Sequence, residues 1–191
     1  MRIYPAVALV LIAVTAQAQS APWSQVNPAL DLPRLESANL TPAQLNSVGK
    51  FLRKYVAGGA WDCSGDEIDE LIHGLSYSAI PVAQGQNVIL AEAPAGCARG
   101  GQGSNGAMWL IRLNGNKPIV LADPEDRFEG WLFSIQPTVS HGYRDIILGW
   151  HMGAFDQNLT YFRFDGKHYD AIGVAQLITD PDTEKTTLTP R

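Results

Sequence analysis

Basic residues are scarce in this chain, which carries 14 Lys and Arg against 19 Asp and Glu in its 191 residues. Binding to a nucleic-acid backbone depends on clustered Lys and Arg side chains, so the charge balance argues against such a partner. Long apolar runs are equally rare. One occurs near the N-terminus, and no later segment approaches the roughly 20 apolar residues that a membrane-spanning helix needs. We therefore expect no membrane span in the mature chain.

Motifs for catalysis and cofactor binding are also missing. There is no Gly-x-Ser-x-Gly nucleophile motif, and no His-x-x-x-His or His-Glu-x-x-His spacing links the histidines, so no metal or other cofactor is predicted. The glycine-rich segment 95–106 could place backbone amides around an anion, with Arg99 as the counter-charge. Because no Lys-Ser or Lys-Thr pair follows, a phosphate-binding loop is not predicted. We prefer a hairpin loop in which Arg99 is a candidate binding residue.

Cysteine is nearly absent, and the two present are Cys63 and Cys97. In an oxidising compartment an even count most simply indicates a disulfide. This one would close a loop of about 35 residues and contribute about 3 to 4 kcal/mol on the chain-entropy estimate. A metal pair would need further ligands nearby, and a catalytic thiol would be open to oxidation by the second cysteine. We therefore predict a Cys63 to Cys97 disulfide.

The N-terminus has the pattern of a cleavable secretory signal peptide over residues 1–18. Arg2 supplies the positive charge, Val7 to Val14 is an uncharged apolar run, and Ala16-Gln17-Ala18 gives the small-x-small cleavage pattern. Cleavage would leave 173 residues with a formal charge of 13 minus 19, or −6. That length suits one domain with its own core. We expect a periplasmic or secreted product.

The first half of the mature chain predicts a leader and two helices. Residues 19–40 contain three prolines and little periodicity, so we interpret them as an extended leader, laid along the domain or mobile. Thr41 and Gln44 form a capping-box pattern that begins a helix, which Gly58 ends. A shorter amphipathic helix follows over Gly65 to His73.

From Leu75 onward apolar residues no longer recur at helical spacing but at every second position, which indicates strands. The predicted strands are Leu75 to Val82, Asn87 to Glu92, Ala107 to Leu113, Pro118 to Ala122, Gly130 to Ile135, Arg144 to Trp150, Leu159 to Phe164 and Lys167 to Ile172. Together with the helices they predict an α+β fold. In it, one or two N-terminal helices pack on a mainly antiparallel, strongly bent β-sheet or small barrel. The domain would span 41–178, with a flexible tail at 179–191.

The most patterned stretch comprises residues 142–151 and 161–169, Gly-Tyr-Arg-Asp-Ile-Ile-Leu-Gly-Trp-His followed by Tyr-Phe-Arg-Phe-Asp-Gly-Lys-His-Tyr. It resembles one blade of the FG-GAP or VCBS type, which implies a β-hairpin. The calcium loop of that family has no counterpart here, since Asp123-Pro124-Glu125-Asp126 is broken by proline. As a whole the chain resembles the small signal-bearing proteins of Gram-negative bacteria, a likeness that implies no activity.

Candidate binding residues come from this stretch and the adjoining turn. Trp150 and His151 end a predicted strand beside a loop, where side chains can converge on a ligand. Phe162 and Phe164 share one strand face, so Tyr161 and Arg163 share the other. With the phenylalanines in the core, the Tyr161 and Arg163 face is a candidate binding surface, and replacing Arg163 should change stability by less than about 1 kcal/mol.

These features favour a small exported binding protein, for example an inhibitor or an immunity-type partner of another protein, or a cell-envelope ligand binder. The interpretation depends on the absence of a catalytic motif. The alternative is an envelope hydrolase whose residues converge around His151 as the base, and a structural component of an envelope assembly is a third option. An enzyme should hold His151 in a pocket beside a carboxylate or hydroxyl, whereas a binder should expose a broad aromatic face.

Overall fold

The structure is a computed structural model that describes residues 21–27, 33–59, 63–93, 97 and 105–191. The predicted signal peptide at 1–18 and the candidate Arg99 lie outside these residues. Among the described residues, no helix is both long and apolar enough to cross a membrane.

Both predicted helices are present, and each begins with a reciprocal capping box. Helix α1 spans Pro42–Gly58 and α2 spans Gly65–Gly74. The Thr41 hydroxyl accepts a hydrogen bond from the Gln44 backbone N–H at 3.2 Å, and the Gln44 side chain accepts one from the Thr41 N–H at 2.9 Å. Such caps satisfy backbone donors that have no partner inside the helix. Local sequence therefore sets both helix starts.

In the part of the chain that the structure describes, ten strands form an antiparallel sheet, one before the two helices and nine after them. They are β1 (Glu36–Ser37), β2 (Ser76–Ala79), β3 (Val88–Glu92), β4 (Gly106–Asn114), β5 (Lys117–Ala122), β6 (Glu129–Ser140), β7 (Tyr143–His151), β8 (Asp156–Phe164), β9 (Tyr169–Thr179) and β10 (Thr186–Pro190). Their order is β1-β2-β3-β4-β6-β7-β8-β9-β10, with β5 paired to β4 beside that path. The α+β prediction is confirmed. The sheet does not close, because β1 and β10 stand at opposite ends of the path, so the small barrel is not supported.

A central apolar cluster lies between the two halves of the bent sheet. From the first half come alternate residues such as Val88 and Leu90 on β3, and from the second half Ile146 and Leu148 on β7 with Phe162 on β8. Because successive side chains of a strand point to opposite faces, the residues between them must be buried elsewhere. The fold therefore needs cover on both outer faces.

Each outer face has its own cover. The α1 and α2 side chains Leu52 and Leu71 pack on the outer face of β3 and β4, where Trp109 is fully buried. On the other side, Trp23 and Val26 of the leader pack against the outer face of β6 to β9. The leader thus forms a layer of the structure over this part of its length.

Cys63 and Cys97 form a disulfide, as predicted, which connects the residues just before α2 to the glycine-rich segment.

The leader and the C-terminal tail, the two segments expected to be irregular, both contribute strands to the sheet. The C-terminal tail was expected to be flexible, but β10 within it pairs with β9 from Thr186↔Thr179 to Pro190↔Ala175. The leader likewise contributes β1, which pairs with β2.

Candidate functional site

The candidate residues chosen from sequence fall in two separate places. Trp150 and His151 lie at the end of β7, beside the β7 to β8 turn, while Tyr161 and Arg163 lie in the middle and later part of β8. The register pairs Trp150 with Asn158 and not with the Tyr161 region. The structure therefore does not bring the four residues into one site.

His151 is fixed by its neighbours in a stacked arrangement. Its ring stacks on Trp131 with centroids 5.3 Å apart and planes 19° from parallel. Its backbone is held by the buried Asn105, whose side chain accepts from the His151 N–H at 2.9 Å and donates to the His151 carbonyl at 3.0 Å. Within the described parts of the chain, no carboxylate or hydroxyl hydrogen-bonds the His151 ring.

Tyr161 and Arg163 belong to a buried polar network around Asp145. Asp145 is 0% exposed, and its Oδ2 accepts hydrogen bonds from Thr138 Oγ1 at 3.0 Å, Tyr161 Oη at 3.1 Å, and Arg163 Nε and Nη2 at 3.1 and 3.0 Å. Trp23 of the leader packs edge-on against the Tyr161 ring, 5.6 Å between centroids. The network stabilises the outer face of β7 and β8 with charge-assisted bonds.

The prediction that Phe162 and Phe164 face the central core is confirmed, but the opposite face is not the open surface expected there. Tyr161 is fully buried and the Arg163 side chain is only 18% exposed. Burial works against the charged form of Arg163, yet its hydrogen bonds to Asp145 and the charge of that carboxylate outweigh the burial, so the pKa of Arg163 lies above its ordinary value. The guanidinium is thus committed to an internal partner and cannot serve as a free contact for a ligand.

One group of side chains in the β8 to β9 turn has the donors that a cation prefers. Asp165, His168 and Asp170 each place one ligand atom within 4.8 Å of the others, and His168 Nδ1 lies 3.5 and 3.7 Å from the two carboxylates. Both aspartates are exposed, and Asp165 already accepts hydrogen bonds from the backbone N–H groups of Lys167 and His168. This arrangement stabilises the turn, and we build no function on it.

A large cleft opens at the other end of the sheet, against the edge of the central core. Its volume is about 1210 Å³, and it is lined by three stretches of chain, residues 33–36 of the leader, residues 79–88 around the β2 to β3 loop, and residues 135–144 at the β6 to β7 end. Its apolar floor is formed by Leu35, Ala83 and Ile135, which are half-buried and pack on the central apolar cluster. Concave sites with an apolar floor and a few polar groups are typical of ligand-binding sites.

The wall of this cleft is held in place by a polar cluster. Gln86 Oε1 accepts hydrogen bonds from the Tyr143 hydroxyl and from Arg112 Nη1, and Arg112 also donates to the Tyr143 oxygen at 3.0 Å. The backbone N–H of Arg144 donates to the Val82 carbonyl at 2.7 Å. These bonds connect the β2 to β3 loop with β4 and β7, so the protein's own contacts hold this wall of the cleft in place.

The net charge of the side chains that line the cleft is opposite in sign to the net charge of the whole protein. Arg34, Glu36 and Arg144 line it, and all three are exposed. Neither arginine makes an ion pair or side-chain hydrogen bond with the residues that the structure describes. The cleft therefore carries a local excess of one positive charge in a chain whose formal net charge is −5.

Sequence reasoning did not find this site. The predicted strand Leu75 to Val82 covers only the start of the lining loop, and the polar residues that follow, Gln84-Gly85-Gln86-Asn87, indicate only a turn. The other walls come from residues more than 40 positions away on either side, so no local pattern connects them. Arg144 lies within the patterned stretch, but nothing in its spacing distinguishes it from Arg163.

Three exposed apolar side chains lie at the opposite end of the sheet, and we call them the tip patch. They are Met152, Phe155 and Ile178, exposed by 60, 51 and 46%. Backbone pairing places the three residues near one another, since the Met152 N–H donates to the Asp156 carbonyl and the Thr179 N–H to the Phe155 carbonyl, both at 2.9 Å, and Asp156 pairs with Ile178. The patch adjoins the predicted Trp150 and His151, but its residues were not singled out from the sequence.

Comparison with known proteins assigns no relatives to this chain. No protein family, curated protein or solved structure matches it. The likeness of residues 142–169 to an FG-GAP or VCBS blade therefore stays a prediction.

Proposed function

We propose that this chain is a small exported binding protein that holds its ligand in the cleft between the leader, the β2 to β3 loop and the β6 to β7 end. The observation that carries the proposal is the cleft of about 1210 Å³ with an apolar floor and unpaired polar groups at its rim. A wall that the protein's own contacts hold in place loses little free energy to ordering. The signal-like N-terminus supports export to the periplasm or beyond.

Site-specific photo-crosslinking in the exporting cells tests this function even though the ligand is unidentified. A photo-reactive phenylalanine derivative replaces Gln84, which is exposed and lines the cleft, or, as the matched control, Ala154, which is exposed in the β7 to β8 turn outside the cleft. We expect an adduct at position 84 and none at position 154. The mass of the adduct then identifies the ligand as a small molecule or a protein. No adduct at either position contradicts a binding function.

The tip patch favours a second candidate function, that of an inhibitor or immunity-type partner of another protein. Contiguous exposed apolar side chains with a polar rim are typical of protein interfaces, and Met152, Phe155 and Ile178 are the most exposed large apolar residues near the Trp131 and His151 stack. In the same experiment, a protein-sized adduct at position 154 alone would favour this candidate over the cleft.

A further inference from the structure

The polar groups around the cleft indicate what kind of ligand it accepts. Arg34 and Arg144 line the cleft and carry permanent positive charges, whereas Glu36 is the one acidic side chain among its described lining residues. A guanidinium offers several N–H donors in a planar fork that matches a carboxylate. An anionic group is therefore the complement of this rim.

The backbone of Arg144 is fixed on both sides of its side chain. Its N–H donates to the Val82 carbonyl at 2.7 Å, and its carbonyl accepts from the buried Tyr169 hydroxyl at 2.8 Å. The first of these bonds is made to the cleft wall itself. The two bonds fix the position on β7 from which the Arg144 side chain extends into the cleft.

Gln86 adds a third donor to the same rim. Arg112 can only donate, and it donates to Gln86 Oε1 at 3.4 Å while the Tyr143 hydroxyl donates to the same atom. This fixes the amide with its oxygen toward the cluster. The Gln86 Nε2 group is left without a partner among the described residues, at a position that lines the cleft.

The floor requires the rest of the ligand to be apolar. Leu35, Ala83 and Ile135 line the cleft, are only half-buried, and pack on the central apolar cluster. A small, fully hydrated anion would leave their exposed surface wet, whereas an attached apolar chain would cover it.

We propose that the cleft binds an amphipathic carboxylate, an extended apolar chain with one anionic head, which Arg34, Arg144 and the Gln86 amide hold at the rim while the chain lies on the apolar floor. This proposal deepens the proposed function and depends on it, because it names the ligand class of the same cleft.

The cross-strand neighbour of Arg144 provides a clean perturbation. Val139 lies directly opposite Arg144 in the β6 to β7 register, lines the cleft and is 61% exposed. A charge introduced at position 139 would lie beside the proposed carboxylate of the ligand and would not disturb the core, because the position is exposed. Val139→Glu and Val139→Lys both remove the same apolar side chain, so the two variants differ from each other only in the sign of the charge at one point of the rim.

The experiment is a titration of the purified full chain with dodecanoate below its micelle concentration, followed by calorimetry, alongside dodecyl maltoside and acetate. Dodecyl maltoside has the same chain with an uncharged head, and acetate has the head without the chain. We expect dodecanoate to bind about ten-fold more tightly than dodecyl maltoside, the difference that one charge-assisted contact produces, and acetate not to bind measurably.

The variants assign that difference to the rim. Arg144→Gln should weaken dodecanoate binding about ten-fold relative to the binding of dodecyl maltoside. Val139→Glu should bind dodecanoate about ten-fold more weakly than Val139→Lys, while these two variants should bind dodecyl maltoside equally. The control Met152→Glu, an equally exposed apolar position outside the cleft, should have no effect. Thermal unfolding of each variant checks that the fold is kept.

Three outcomes overturn the proposal and differ in what they say about the cleft. If dodecanoate and dodecyl maltoside bind equally, and Val139→Glu and Val139→Lys bind dodecanoate alike, the anionic head is refuted while the binding function stands. If Met152→Glu weakens dodecanoate binding as much as Val139→Glu does, the cleft is refuted as the site of dodecanoate. If neither ligand binds, the amphipathic carboxylate is refuted as the ligand class. The photo-crosslinking result at Gln84 then decides separately whether the cleft binds anything else.

Discussion

Replacement of Arg163 by alanine should be strongly destabilising. The change removes two hydrogen bonds, at 3.1 and 3.0 Å, and the only guanidinium described within 4.0 Å of Asp145. Asp145 is 0% exposed, so the variant leaves a buried carboxylate without its counter-charge. Loss of one partner from a buried ion pair costs about 3 to 5 kcal/mol. Thr138 and Tyr161 still donate to Asp145, and Arg163 is 18% exposed, so we expect about 3 kcal/mol.

Urea unfolding, followed by far-UV circular dichroism, measures this cost. The reference variant is Phe164→Ala, which removes a core ring that is 4% exposed and should cost about 3 to 5 kcal/mol through cavity formation. The surface control is Arg53→Ala, whose partner Asp69 lies on the helix surface, 50% exposed. Exposed pairs contribute about 0 to 1 kcal/mol.

A double-mutant cycle separates the ion pair from simple loss of packing. With Asp145→Asn in the background, Arg163→Ala should cost less, because the buried group no longer carries a full charge. A coupling free energy of about 1 to 3 kcal/mol is expected for residues in one network. If Arg163→Ala alone changes stability by less than about 1 kcal/mol, as the sequence pattern predicts, Asp145 is solvated and the buried network is refuted.

Glu92, Gly173 and the disulfide each offer a further test of the fold. Burial raises the pKa of Glu92, so the folded state binds this proton more tightly than the unfolded state and stability falls as pH rises from the ordinary carboxyl range through the raised pKa. Glu92→Gln should therefore raise the free energy of unfolding near neutral pH and not under acidic conditions, and a gain independent of pH in urea unfolding would contradict it. A Cβ at Gly173 would lie 2.7 Å from the Ala21 Cβ, so Gly173→Ala should displace the leader and cost about 1 to 3 kcal/mol in thermal unfolding. In the control Gly153→Ala the added Cβ has no atom within 4 Å, so this variant should leave thermal stability unchanged. Thiol labelling of unfolded, unreduced protein should find no free cysteine, and reduction of the Cys63 to Cys97 bond should lower stability by about 3 to 4 kcal/mol; two labelled thiols would refute the bond.

The parts of the fold that depend on local chemistry could be predicted from the sequence. Thr41 with Gln44 and Ser64 with Glu67 form capping boxes within four residues of chain, so both helix starts were predictable. The alternation of apolar and polar residues likewise located the eight central strands. The disulfide followed from the cysteine count alone.

The outcome for Tyr161 and Arg163 shows what local pattern could not supply. Alternation placed Phe162 and Phe164 on one face correctly, but whether the other face meets water depends on a distant segment. The leader seats Trp23 on that face, packed on Gly173 and Tyr161, and nothing periodic in residues 21–27 indicated it. Arg163 has an internal partner because a second strand brings Asp145 beside it.

The cleft and β10 were missed for the same physical reason. β10 is a short threonine-rich strand whose stability depends on pairing with β9, and a threonine-rich tail alone does not reveal its partner. The cleft is assembled from the leader, the β2 to β3 loop and the β6 to β7 end, whose contacts depend on sheet order. Strand order cannot be read from the spacing of hairpins.

Amide chemical shifts of isotope-labelled protein, recorded during titration with dodecanoate and with dodecyl maltoside, test most directly whether the cleft is the binding site. The account predicts that the largest shifts fall in residues 82–88 and 139–144, in both titrations, with the Arg144 region responding more strongly to the carboxylate. Shifts concentrated in residues 150–155 at the tip patch, or no localised shifts with either compound, would contradict it.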